Sequence, residues 1–288
     1  MDAVSRIETA LTSALQRADG PSCPPKLMAA MQHSVFPKGA RVRPRLCLAV
    51  AAACGDDNPI VADIAAASIE LLHCASLVHD DLPCFDDADT RRGFPTVHRV
   101  YGEPLAVLAG DALIVLAFEN LARLSFTPQR MTALLTIVAR AVGAPCGIVA
   151  GQAWECEPKV DLEHYHRAKT GSLFAASTCA GAAAAGGDPH QWRELGETLG
   201  EAYQVADDLS DAVAEPDEFG KPIGRDLVLG RPSATRELGV DGAMSRLEQL
   251  VARSIASIPA CPGAGDLRAL IMLEAKRLVP KSLARHAA

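Results

Sequence analysis

Aromatic residues are scarce, at 4% of a 288-residue chain. Sheets draw on aromatic and β-branched side chains, so this scarcity beside abundant alanine and leucine argues against a sandwich or barrel and predicts an all-α protein. A positive balance is missing too. With 28 Lys and Arg against 35 Asp and Glu, the formal charge of −7 offers no overall basic field to nucleic acid or anionic lipid, although a local cationic site stays open. No C-x-x-C pair occurs among nine cysteines, an odd number. That pattern predicts reduced thiols and a cytoplasmic location, and speaks against zinc. The opening "MDAVSRIETALTSALQRADG" lacks the continuous apolar stretch of a signal peptide and reads as a surface helix. The greasiest run, "LAVLAGDALIVLAFENLA", is broken by Asp111 and Glu119 and barely reaches bilayer length, so it reads as a buried core helix, not a transmembrane segment. There is no internal repeat and no low-complexity tail.

What is present fits a large core: 49% of residues are hydrophobic and 22% charged, enough for one big domain or two small ones. Pro and Gly clusters at 19–26, 54–59, 186–189, 215–232 and 259–266 separate long segments without strand alternation. Asn58-Pro59, Thr127-Pro128 and Asp188-Pro189 suit an N-cap followed by a first helical residue. From Pro59 to Asp81, Ile60, Ile64, Ala67, Leu71, Cys74 and Val78 recur at helical spacing, while Val61, Ala65, Ser68 and Leu72 make a second apolar face, so this helix is expected inside the protein. Another helix is expected from about Asp161 to Ala185, its small residues allowing close helix contact.

The stretch "HDDLPCFDDADTRRG" puts Asp80, Asp81, Asp86, Asp87 and Asp89 at the end of the apolar helix. A helix C-terminus is already partly negative, and like charges about 4 Å apart repel by roughly 4 kcal/mol at an effective dielectric of 20. Alone, the cluster is equally a solvated acidic loop or a cation site. A second acidic group, Asp207, Asp208 and Asp211 in "YQVADDLSDAV", ends another long segment, with Asp207 and Asp211 on one helical face. Two such ends suggest carboxylates sharing a hard cation, and Mg²⁺ fits because substrate phosphates commonly complete its shell. Arg41, Arg43, Arg91, Arg92, Lys169, Lys221 and Arg231 supply the cations that a phosphate ester or diphosphate requires.

These residues resemble the trans-isoprenyl diphosphate synthases, the head-to-tail prenyltransferases also called polyprenyl synthetases. "DDLPCFD" and "DDLSD" look like the family's two aspartate-rich motifs, and "ARVRP", "LLHCASLVHDD", "RRGFPTVH", "LAGDAL", "GQAWE", "AKTGSLF", "YQVADD" and "GKPIGRD" follow its order over nearly the whole chain. Within the family the pattern is most similar to geranylgeranyl diphosphate synthases of bacterial carotenoid and bacteriochlorophyll pathways. The resemblance implies a single domain over 1–288, an isoprenoid-synthase helical bundle around a deep central cavity, and a homodimer. It further implies that Asp80, Asp86 and Asp207 bind Mg²⁺ directly, three ions with bound diphosphate, with Asp81, Asp208 and Asp211 in support. By the same resemblance Arg91, Lys169, Thr170, Gln204, Lys221 and Arg231 hold an allylic diphosphate (dimethylallyl, geranyl or farnesyl), and Arg43, His73 and Arg92 hold isopentenyl diphosphate. Asp80, Asp81, Asp86, Asp207 and Lys169 are then the catalytic set. Helix geometry agrees for His73, which lies seven residues before Asp80 and about 20° round. Geometry alone does not make it a ligand, since a lone histidine in a helix is more often a buried, hydrogen-bonded core residue.

The chain departs from the family at Ala40, where a lysine is usual; Lys38 or Arg41 is expected to offset the lost charge. Chain length in the family follows bulk just before the first aspartate, and Ala75 and Ser76 are small, which implies a geranylgeranyl product. A farnesyl diphosphate synthase is the alternative. A terpene cyclase is disfavoured by the few aromatics available to line a cation cavity, and a noncatalytic subunit of a heteromeric synthase, or a helical scaffold, by the retention of both aspartate sets.

Overall fold

Asp2 opens the first helix, α1 (Ala3–Ala18), by accepting hydrogen bonds from the amides of Val4 and Ser5 at 2.9 and 3.1 Å, which satisfies donors that a helix start leaves exposed. Ile7, Leu11, Ala14 and Leu15 form its buried stripe, and its polar face stays outside, as expected of a surface helix. The protein is described here from a computed structural model covering residues 2–37, 39–159, 162–213 and 233–278. Two units can be distinguished, one comprising Met1–Ala52, Asp56–Val138 and Ala180–Gly187, the other Ala53–Gly55, Ala139–Cys179 and Asp188–Ala288.

In the first unit α2 (Pro25–Val35), α3 (Val42–Ala53) and α4 (Pro59–Asp80) follow α1. Both apolar faces of α4 are buried, and α1, α2 and α6 (Glu103–Ala122) pack against it. Ile60 is the exception, 61% exposed in the first turn, where fewer neighbours reach. The helix begins at Pro59 as predicted, although Asn58 makes no side-chain cap bond. α6 departs from the expectation of a fully buried core helix. Ala106, Ala109, Gly110, Leu113, Leu116, Ala117 and Leu121 are buried, whereas Val107, Leu108 and Val115 are exposed on the side that also carries Asp111 and Glu119. By length and composition alone α4 and α6 could each cross a membrane; here α4 is largely buried and α6 is buried on one face. α5 (Val97–Tyr101) and α7 (Pro128–Val142) complete the unit's helices. The small residues before Gly187 do permit close approach: a Cβ at Gly181 would lie 2.3 Å from the carbonyl oxygen of Cys47.

Among the described residues the only sheet is a hairpin, β1 (Thr90–Arg91) paired antiparallel with β2 (Phe94–Pro95). Arg92 and Gly93 between them take φ of 56° and 80°, the left-handed pair that a tight two-residue turn requires. The helix expected from about 161 is present, but as α9 (Leu162–His166), a wide π turn (Arg167–Gly171) and α10 (Ser172–Ala184), of which the stretch to Cys179 belongs to the second unit and the rest to the first. α8 (Ile148–Ala153) precedes them, and Asp188 caps the 3₁₀ turn Pro189–Trp192 through the His190 amide at 3.0 Å. α11 (Arg193–Val213) lays Ala202, Val205, Ala206 and Leu209 in a common core with Ala243, Leu247 and Leu250 of α12 (Ala234–Ala256), a helix interrupted at Gly239, and α13 (Ala264–Leu278) follows.

Candidate active site

At the end of α4 the five aspartates separate into two groups. The loop that follows folds back through backbone bonds from Asp86 N to the Asp80 carbonyl (2.9 Å) and from Ala88 N to the Asp81 carbonyl (3.1 Å). Asp86 is thereby returned to Asp80. Arg91 reaches from the hairpin into this group: its Nε donates to Asp81 Oδ1 at 2.8 Å, its Nη2 also contacts Asp81, and that same nitrogen lies 3.7 Å from Asp80 Oδ2 and 3.8 Å from Asp86 Oδ2. The positive charge demanded by the crowded anions is therefore Arg91. Asp87 and Asp89 turn outward instead and share exposed Arg99 at 3.1 and 2.7 Å. A site and a solvated acidic loop thus coexist in one run. Burial pushes the Asp81 carboxyl up to about 6, against the pull of Arg91, with Asp80 and Asp86 adding to the rise.

The turn at Arg92 and Gly93 sends the neighbouring arginine elsewhere. Arg92 Nη2 lies 3.4 Å from His73 Nε2, and Arg43 Nη1 approaches the same ring nitrogen at 3.3 Å. Three residues far apart in sequence thus meet on α4. Burial first, then Arg43 and Arg92, hold the His73 pKa well below its ordinary value, so the ring is neutral and its Nε2 can accept. Gly39 completes the cluster, since a Cβ there would stand 2.5 Å from the Arg92 guanidinium carbon. Ala75 is buried at 1% exposure, and Ser76 Oγ bonds back to the His73 carbonyl at 2.8 Å.

Arg41 does not offset the missing lysine. Only 3% exposed, it donates to Glu70 Oε1 (2.7 Å), Glu8 Oε1 (2.8 Å) and the Val35 carbonyl (2.7 Å), so its charge is consumed inside the first unit. Lys38, Lys221 and Arg231 lie outside the described residues.

In the second unit Thr170 Oγ1 donates to Gln204 Oε1 at 3.0 Å, and Gln204 Nε2 donates to Asp208 Oδ1 at 3.1 Å. Asp208 is buried, and its other oxygen accepts from the Ala234 amide at 2.7 Å, which ties the start of α12 to α11. Asp207 is exposed and Asp211 partly so. Lys169, carried on the π turn, pairs with Glu155, which also accepts from Tyr165 Oη at 2.6 Å and from Gln152 Nε2 at 3.3 Å. Gln152, Glu155 and Tyr165 were not singled out as site residues. The only signal for the first two is their place in "GQAWE", quoted above as a family marker. Among the described residues no three His, Cys, Asp or Glu side chains form a ready metal cage. The donor chemistry still suits Mg²⁺, which takes one or two carboxylate oxygens and fills the rest of its octahedron with water and phosphate.

The polyprenyl synthetase family profile matches residues 24–257, and the chain belongs to that family; it is a prenyltransferase. More particularly, it is similar to the geranylgeranyl diphosphate synthase of Cereibacter sphaeroides, at 54% identity over 97% of both chains. The enzyme of that name from Rhodobacter capsulatus is 50% identical over 97% of this chain and 98% of its own. A geranyltransferase of Helicobacter pylori, solved with magnesium and isoprenyl diphosphate, superimposes with a TM-score of 0.82 at 30% identity over 96% of each chain.

Proposed function

We propose that the chain is a Mg²⁺-dependent geranylgeranyl diphosphate synthase that joins isopentenyl diphosphate head to tail with dimethylallyl, geranyl or farnesyl diphosphate. One observation carries this reading: two arginine-centred clusters on one helix, Arg43 and Arg92 at His73, and Arg91 among Asp80, Asp81 and Asp86. Two diphosphates need two cationic sites, and only the one that departs needs hard-cation ligands beside it. Asp80, Asp86 and Asp207 are the direct ligands in this reading, for three ions, with Asp81 and Asp211 in support and Asp208 behind them. When bound, magnesium stabilises charge on the departing diphosphate more than on the intact ester. Arg91, Lys169, Thr170 and Gln204, with Lys221 and Arg231, grip the allylic diphosphate as its carbon–oxygen bond breaks. Arg43, His73 and Arg92 hold isopentenyl diphosphate so that its double bond attacks the allylic cation; the new carbon–carbon bond forms and the released diphosphate takes the proton that is lost. The neutral His73 leaves both guanidinium charges for the phosphates.

Small Ala75 and Ser76 support the geranylgeranyl product. The family match includes residues of both units, which supports one catalytic domain over 1–288. A homodimer fits the exposed apolar stripe of α6, Val107, Leu108 and Val115. A cytoplasmic location fits nine free thiols, and a role in carotenoid biosynthesis fits the alanine at position 40. The test incubates the purified chain with isopentenyl diphosphate and each allylic starter, with Mg²⁺ or with EDTA, and identifies the dephosphorylated alcohols by chromatography. Metal-dependent geranylgeraniol is expected. Farnesol alone would keep the chemistry and overturn the product length, and no elongation from any starter would overturn the synthase.

A further inference from the structure

We infer that Arg41 is a positioning residue for the isopentenyl diphosphate site, acting through the residues on either side of it. The inference rests on assigning that substrate to Arg43, His73 and Arg92. Arg41 occupies a left-handed backbone position (φ 49°), and its carbonyl accepts the Arg45 amide at 3.0 Å, so it sets where α3 begins. Its guanidinium is fixed at three points: Nη1 to Glu70 Oε1 on α4, Nε to Glu8 Oε1 on α1, and Nη2 to the Val35 carbonyl at the end of α2. With side-chain exposures of 2% and 1%, Arg41 and Glu70 form a pair that water hardly reaches, and a planar fork with three separate acceptors has little freedom to turn. Two residues before it, the Gly39 backbone abuts Arg92; two residues after it, Arg43 meets His73. Glu70 itself stands three residues, or nearly one turn, before His73 on the same helix. One internal ion pair thus registers the segment carrying Arg43 against the helix carrying His73. Arg41 takes no part in the chemistry and keeps its charge away from the substrate.

Arg41→Lys keeps the charge and loses the fork. The expected result is a rise of about tenfold in KM for isopentenyl diphosphate, with kcat and the KM for the allylic substrate within about twofold of the parent. Arg43→Gln is measured alongside it, alone and combined with Arg41→Lys, and the two effects should be less than additive because one acts through the other. A folded Arg41→Lys protein, checked by circular dichroism, whose KM values are both unchanged would overturn the inference. If Arg41→Lys does not fold, Glu70→Gln, which preserves shape and removes one buried charge, must raise the same KM selectively or the inference falls. If Arg43→Gln itself leaves the KM for isopentenyl diphosphate unchanged, the assignment of the substrate site is what fails.

Discussion

At the scale of single residues, charge is interpreted by its partners. Five aspartates in one run become three around Arg91 and two around Arg99, and nothing in their spacing separates them. His73 allows a direct check. Arg43 from α3, Arg92 and Arg91 from the hairpin, and Arg41 oppose its protonation in the fold after burial does, while the unfolded chain binds a proton below about pH 6.5. The folded pKa is the lower one, so stability falls as pH drops through that range, by up to about 1.4 kcal/mol per pH unit. Thermal melts of His73→Gln should therefore depend less on pH than the parent's between about pH 5 and 6.5. The thiols offer another test. Burial pushes up Cys47, Cys74 (to about 12) and Cys179 (to about 11), whereas Cys84, Cys146 and Cys156 are exposed. Thiol reagent at mild alkaline pH should modify the exposed three in the native protein and the buried three only on unfolding, as peptide mass mapping would read.

At the scale of elements, helix positions follow from apolar period and proline, and both were legible: α4 starts at Pro59 and is buried on both faces as predicted. The hairpin and the π turn were not. The hairpin is two residues on each strand, too short for any alternation to register, and a π turn differs from an α turn only in which carbonyl each amide reaches. Both carry residues on which the proposed function rests, Arg91 and Lys169. Close packing at Gly181 predicts that Gly181→Ala destabilises by about 1–3 kcal/mol in denaturant titration, because the Cys47 carbonyl oxygen would sit 2.3 Å from the new Cβ. On α4, Ala75→Tyr should shorten the main product from geranylgeranyl to farnesyl diphosphate and lower stability by a similar amount, about 1–3 kcal/mol, since Ala75 is buried. A mutant still making mainly the longer product would remove Ala75 from chain-length control.

At the scale of the whole molecule, composition and motif order carried far: an all-helical prenyltransferase was legible from few aromatics, abundant alanine and a succession of motifs. The exposed side of α6 was marked only by Asp111 and Glu119, which share a face with Val107 and Val115; those valines and Leu108 are as apolar as the buried face, and the packed neighbours decide how much of them stays open. If that stripe joins two copies, Leu108→Glu with Val115→Arg should halve the mass in sedimentation equilibrium. Persistence of the parent mass would place the interface elsewhere.

The sequence by itself determined the helical class, the two acidic helix ends and the residue types able to bind diphosphate, since these depend on local composition and spacing. Tertiary structure alone decided that Arg91 pairs with the first aspartates, that Arg92 turns to His73, that Arg41 is spent on Glu8 and Glu70, and that Asp208 holds the start of α12. Each depends on groups brought together from distant parts of the chain. A charge in water costs little wherever it lies, but once buried its partner determines whether the arrangement is stable.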